Sequence, residues 1–167
     1  MKKWIHKHSL VLSLLFVLAV MVMIFCFSAQ SGEESGAMSG RFTTWMLHIF
    51  VPDFDNMSAQ AQTQLRDTVG LVIRKLAHFS EYALLGFALL LHISQVQKRI
   101  SVRLSWLWAW GVGTLYAASD EFHQGFVADR GPSVMDVMID SAGVIAGVLL
   151  LVWLLRCATK NKIPQKG

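Results

Sequence analysis

Residues 119–140 read SDEFHQGFVADRGPSVMDVMID and gather five acids, one His and one Arg between two apolar runs. His78 and Glu81 sit in a third apolar run, with Tyr82 beside them and Arg74 and Lys75 just before. Imidazole beside carboxylate is the material of proton transfer. Guanidinium and ammonium groups hold anions, the guanidinium through a planar fork. On helices, His78 and Glu81 share a face at i, i+3, and Asp136 and Asp140 share one at i, i+4. Simpler roles exist for some of these groups. Ser133-x-x-Asp136 has the form of a capping box, with Pro132 suited to a helix start. Glu121 and Asp129 are expected to be solvated, and for Lys75 and Arg74 the simpler reading is an anchor to lipid phosphate. His78, Glu81, Asp120 and His123 are also zinc or iron ligand types. Neither H-E-x-x-H nor a Cys pair accompanies them, so the expectation is no metal and no cofactor.

Groups of this kind need elements that bring them together and hide them from lipid. Of the 167 residues, 54% are hydrophobic and only 16% charged, which shifts the chain toward membrane composition. Residues 9–27 carry no charge and approach the roughly 20 residues that cross a hydrocarbon core. The run is long for a signal peptide and no A-x-A site follows, so it is expected to remain as a membrane helix. Residues 75–96, 104–122 and 137–155 are three further candidates, each with ionisable groups toward one end. Glu81, His78 and Asp140 in such runs are functional candidates by default, because charge in a membrane must face protein or water.

Charge fixes the orientation of four such helices. Lys2, Lys3, Lys7, Lys98, Arg99, Arg103, Arg156, Lys160, Lys162 and Lys166 all fall on one side, ten of the fifteen basic residues and none of the eleven acids. By the positive-inside rule that side is cytoplasmic, with both termini there and the polar cluster at the outer leaflet. Trp4, Trp106, Trp108 and Trp153 fit an inner aromatic belt. The net charge of +4 lies in these flanks, which removes nucleic acid as a partner. Cys26 and Cys157 fall near opposite faces and are expected to be free thiols.

Between the first two spans, SGEESGAMSG (residues 31–40) reads as a flexible loop, with Ser39 capping a short helix behind it. Phe42, Trp45, Met46, Ile49 and Phe50 form one helical face, expected to lie on the outer leaflet. VPDFDN breaks this helix. After Ser58, the stripe Leu65, Val69, Val72, Leu76 and Phe79 runs unbroken into the second span. Gly143 and Gly147 continue the Asp136 and Asp140 face and suit close helix contact.

FSAQS (residues 27–31), RKLAHFSEYALLGF (residues 74–87) and the block from Ser119 to Gly147 together resemble the VanZ-like family, in order and in spacing. That resemblance implies a small bacterial multi-pass protein of the cytoplasmic membrane, related to an accessory of glycopeptide resistance associated with teicoplanin. It does not imply a reaction. Its recurrent polar positions fall on Ser28, Gln30, Lys75, His78, Glu81, Asp120, Glu121, His123, Gln124, Arg130, Asp136 and Asp140. Family members often carry Asn at the position of Asp140. Arg130-x5-Asp136-x3-Asp140 also has the spacing of a motif of acid-phosphatase-like lipid phosphatases, Arg-x5-His-x3-Asp. Asp136 replaces the nucleophilic His here, and their Pro-Ser-Gly-His motif is absent.

The expectation is an all-α integral membrane bundle of four transmembrane helices, with an interfacial helix between the first and second. The basic ends, residues 1–8 and 158–167, flank a membrane domain at 9–157. Lys75 and Arg130 contact an anionic lipid headgroup or lipid-linked envelope precursor. His78, Glu81, Asp120 and His123 form an acid–base core, which Ser28, Gln30, Tyr82, Gln124, Asp136 and Asp140 support. Two alternatives stand beside this. One is an enzyme acting on a lipid-linked phosphate or sugar. The other is a structural subunit whose charges hold helices together. An enzyme keeps a cavity with converging groups, whereas a structural network is fully paired and dry.

Overall fold

The computed structural model describes residues 2–96 and 102–160, with side chains over 8–96 and 104–159. The side chains of Lys2, Lys3, Trp4, Lys7, Arg103 and Lys160 lie outside that range, as do Lys98, Arg99, Lys162 and Lys166 altogether. Five α-helices form the described chain: α1 (Lys2–Ser28), α2 (Gly32–Phe50), α3 (Ala59–Val96), α4 (Val102–Gln124) and α5 (Val134–Lys160). A short 3-10 turn, Phe54–Asn56, joins α2 to α3. No strand occurs among the described residues.

The α3–α5 pair is the spine, and small residues are the reason. A Cβ on Gly147 would drive into the Ala83 carbonyl, one on Gly143 into the Phe79 carbonyl, and one on Gly86 into the Val144 carbonyl. These contacts are reciprocal, and backbone meets backbone as in small-residue membrane packing. α1 packs on α3, while α4 fills the angle between α3 and α5. Ile24, Tyr82, Leu85, Ala88, Ala117 and Val144 are buried where these helices meet. Tyr116 ties α4 to α1 by donating from its hydroxyl to the Met21 carbonyl at 2.7 Å. At the opposite end from the acids, Ser13 Oγ and His92 Nδ1 lie 2.9 Å apart, and Ser9 donates to Gln95.

The outer surface is apolar. Leu12, Leu15 and Val22 on α1, Leu107 and Leu115 on α4, and Leu149 and Trp153 on α5 are all exposed. Helices solvated by lipid need this arrangement, because each satisfies its own backbone. Three helices contain stretches long and apolar enough to cross a membrane, His8–Ser28, Ala59–Val96 and Val134–Thr159.

Residues 32–40 are helix rather than flexible loop. Ser31, not Ser39, is the cap. Its Oγ accepts from the Glu34 amide at 3.2 Å, and Glu34 Oε2 accepts from the Ser31 amide at 2.9 Å. This reciprocal box satisfies two orphan donors and starts the helix eight residues early. Ser39 lies inside α2, donating to the Ser35 carbonyl at 2.9 Å. α2 turns Ser35, Thr43 and Leu47 inward, and Thr43 meets Gly70 of α3. Of the expected stripe, Trp45, Ile49 and Phe50 face away from the protein, whereas Phe42 is half exposed at the edge of a space beneath α2 and Met46 is partly buried. Asp53, at φ 59, turns the chain back, and Phe54 is buried beneath the Arg66 guanidinium at 5.3 Å. α3 then starts at Ala59, sixteen residues before the apolar run, and continues unbroken.

Candidate functional site

The end of α1, the start of α2, the middle of α3, the end of α4 and the start of α5 meet at one end of the bundle. Residues 125–133 close it as a loop. Gly32 donates its amide to the Ala128 carbonyl at 3.0 Å, and Asp129 takes a left-handed turn at φ 57. A Cβ at Gly32 would strike the Asp129 carbonyl, so only glycine lets α2 begin against this loop.

Glu121 is buried, not solvated. Its Oε2 accepts from the Ser133 amide at 2.9 Å and so helps satisfy the amino end of α5. Ser133 Oγ accepts from the Asp136 amide at 3.2 Å, which is half of the expected box. The Asp136 carboxylate does not return to the cap. It pairs instead with Lys75 of α3. Gln124 is a relay: its Nε2 donates to Asp120 Oδ2 at 3.3 Å, and its Oε1 accepts from Arg130 Nη1 at 3.3 Å.

Around these groups lies a polar cleft of about 210 Å³, lined by residues that include Arg74, Lys75, His78, Glu121, Gln124, Arg130, Asp136 and Asp140. Lys75 is engaged by Asp136. Arg74 and Arg130 differ from it, since neither forms an ion pair among the described residues. Burial and the neighbouring Arg74 charge both push the Arg130 pKa down, though a guanidinium keeps its charge. Asp120, Glu121 and Glu81 lie near enough to oppose that shift, and Glu121, Asp129, Asp136 and Asp140 line the same cleft.

The acid–base candidates lie at this one end without forming a single hydrogen-bonded set. His78 Nδ1 and Glu81 Oε2 lie 3.9 Å apart, too far for a hydrogen bond. His78 lines the polar cleft and Glu81 its neighbour. Asp120 is buried beside Gln124. His123 packs on Phe25 with ring centroids 4.9 Å apart, and no hydrogen bond joins it to Glu81. Ser28 Oγ, Gln30 Oε1, Glu81 Oε2, His123 Nδ1 and both Asp140 oxygens are buried without a hydrogen-bond partner among the described residues. Among the described residues no cluster of three or more His, Cys, Asp or Glu has metal-holding geometry. Cys26 and Cys157 are both free and exposed.

Arg74, outside the expected site set, lines the cleft beside Lys75, whose ammonium is held by Asp136, 61 residues away.

Helices apolar toward the outside, with ionisable groups collected at one end around a cleft lined by both signs of charge, define a membrane protein with a polar site. Residues 13–156 match the family model described as VanZ/LLP1, and the chain belongs to that family. No curated protein and no solved structure matches it.

Proposed function

We propose that the cleft binds the anionic headgroup of a membrane lipid or of a lipid-linked envelope precursor. The observation that carries this is the pair Arg74 and Arg130, which line one cleft without a carboxylate partner. Lys75 is held by Asp136 and braces α5 against α3. His78, Glu81, Asp120 and His123 tune the hydrogen bonding around the headgroup, with Ser28, Gln30, Tyr82, Gln124 and Asp140 behind them. The unpartnered buried polar atoms favour a ligand site over a purely structural ion network, since a network of that kind is fully satisfied.

In this reading α4 is the fourth span, and its buried Asp120 and Glu121 face protein rather than lipid. Both termini are cytoplasmic, and the cleft opens at the outer leaflet of the bacterial cytoplasmic membrane. The outward apolar stripe of α2 lies against that leaflet. Occupancy of the cleft by an envelope precursor would connect the protein to glycopeptide, including teicoplanin, susceptibility. The test is mass spectrometry of lipids that co-purify with the wild type and with Arg130→Ala. Anionic lipid should be depleted about tenfold in the variant, the loss expected for a charged hydrogen bond. Identical lipid content in the two proteins refutes the reading.

A further inference from the structure

A second cleft, of about 250 Å³, adjoins the polar one beneath α2. Phe27 of α1, Met38 and Phe42 of α2, and Ile73 and Ala77 of α3 give it apolar walls. Arg74, His78 and Arg130 line both spaces, so the two share a cationic border. Charge on one side of that border and hydrocarbon on the other is the profile of an amphiphile. A free anion has no use for the apolar half. The apolar cleft at Trp106, Trp110 and Leu149, on the α4–α5 face, lacks any charged wall and offers no headgroup contact.

We propose that the trough beneath α2 holds the hydrocarbon chain of a phosphate-headed amphiphile whose headgroup sits between Arg74 and Arg130. This deepens the headgroup reading above and rests on it. The chain leaves the headgroup past Ala77 and Ile73, runs under Met38 and Phe42, and emerges beside the exposed stripe of α2. The site thereby recognises the junction between phosphate and chain, not the phosphate alone.

The test uses the full chain in phosphatidylcholine nanodiscs and dodecyl phosphate with a diazirine midway along its chain. Headgroup occupancy is read separately, as protection of Arg74 and Arg130 from phenylglyoxal. Photolabel is expected on residues 35–42 and 73–77. Ala77→Phe, at an exposed position, fills the trough and should cut that label at least tenfold while the arginines stay protected. Protected arginines with label elsewhere, or label unchanged by Ala77→Phe, overturn the chain assignment and leave the headgroup reading standing. Unprotected arginines overturn both. Equal protection by inorganic phosphate at the same concentration overturns the amphiphile and leaves a simple anion site.

Discussion

Replacing Gly147 by Ala should destabilise the protein, and replacing Gly111 by Ala should do the reverse. At Gly147 the new Cβ would overlap the Ala83 carbonyl oxygen, standing 2.6 Å from its carbon and 2.9 Å from the Phe87 nitrogen. All three are backbone atoms, so no side chain can swing aside. Reaching the 3.4 Å of ordinary contact with that oxygen requires α3 and α5 to part by well over an ångström. Overpacking of that kind costs about 1–3 kcal/mol, and a backbone obstacle argues for the upper end. Gly111 has nothing within 4 Å of its Cβ position. Alanine there relieves only the helix penalty of glycine and should stabilise by about 0.5–1 kcal/mol. The two single-methyl changes therefore differ in sign and by about 3–4 kcal/mol. Denaturant unfolding in detergent micelles, followed by circular dichroism, measures both. Gly147→Ala at or above wild-type stability would refute close α3–α5 contact. An equal loss from Gly111→Ala would show that the effect is not packing.

Three further expectations concern the site and its orientation. Arg130→Lys keeps charge but loses the fork, so anionic lipid should co-purify in part, whereas Arg130→Gln should lose it; full recovery by Gln refutes anion binding. Lys75→Met and Asp136→Asn should each destabilise by about 1 kcal/mol, and the double variant by clearly less than the sum, with a coupling of about 0.5–1 kcal/mol for this half-exposed pair; additive losses refute the bridge. With Cys26 and Cys157 removed, an impermeant thiol reagent applied to intact cells should label cysteines placed at Gly36 and Ala128 but not at Gln97; labelling at Gln97 reverses the proposed orientation.

Local and periodic features were legible in the sequence. The stripe from Leu65 to Phe79 identified α3 as one helix through its polar start, and Gly143 and Gly147 marked the α5 seam. The order of three short blocks pointed to the family. The amino end of α2 was readable in Ser31-x-x-Glu34, yet the glycines at 32, 36 and 40 argued for a loop. Gly32 is instead where the helix meets the Asp129 carbonyl, and Gly36 and Gly40 face open space. The electrostatic roles were not legible, because they depend on pairing between helices. Asp136 looked like a cap and Lys75 like a free cation until α3 met α5. Glu121 looked solvated because its acceptor role requires Ser133 to return across the loop. His123 and Glu81 share an end of the bundle but point into different surroundings, which residue spacing does not reveal.

α3 has 38 residues, a rod of about 57 Å at about 1.5 Å per residue. A hydrocarbon core is about 30 Å thick, so the part before Lys75, braced by α2, projects beyond the bundle's polar end. The glycine seam at Phe79 and Ala83 is then a fulcrum, with a long arm outside and Lys75 and His78 close to the pivot. A force on the α2–α3 hairpin is delivered as torque at the cleft, because α3 runs from Ala59 to Val96 with no break to absorb it.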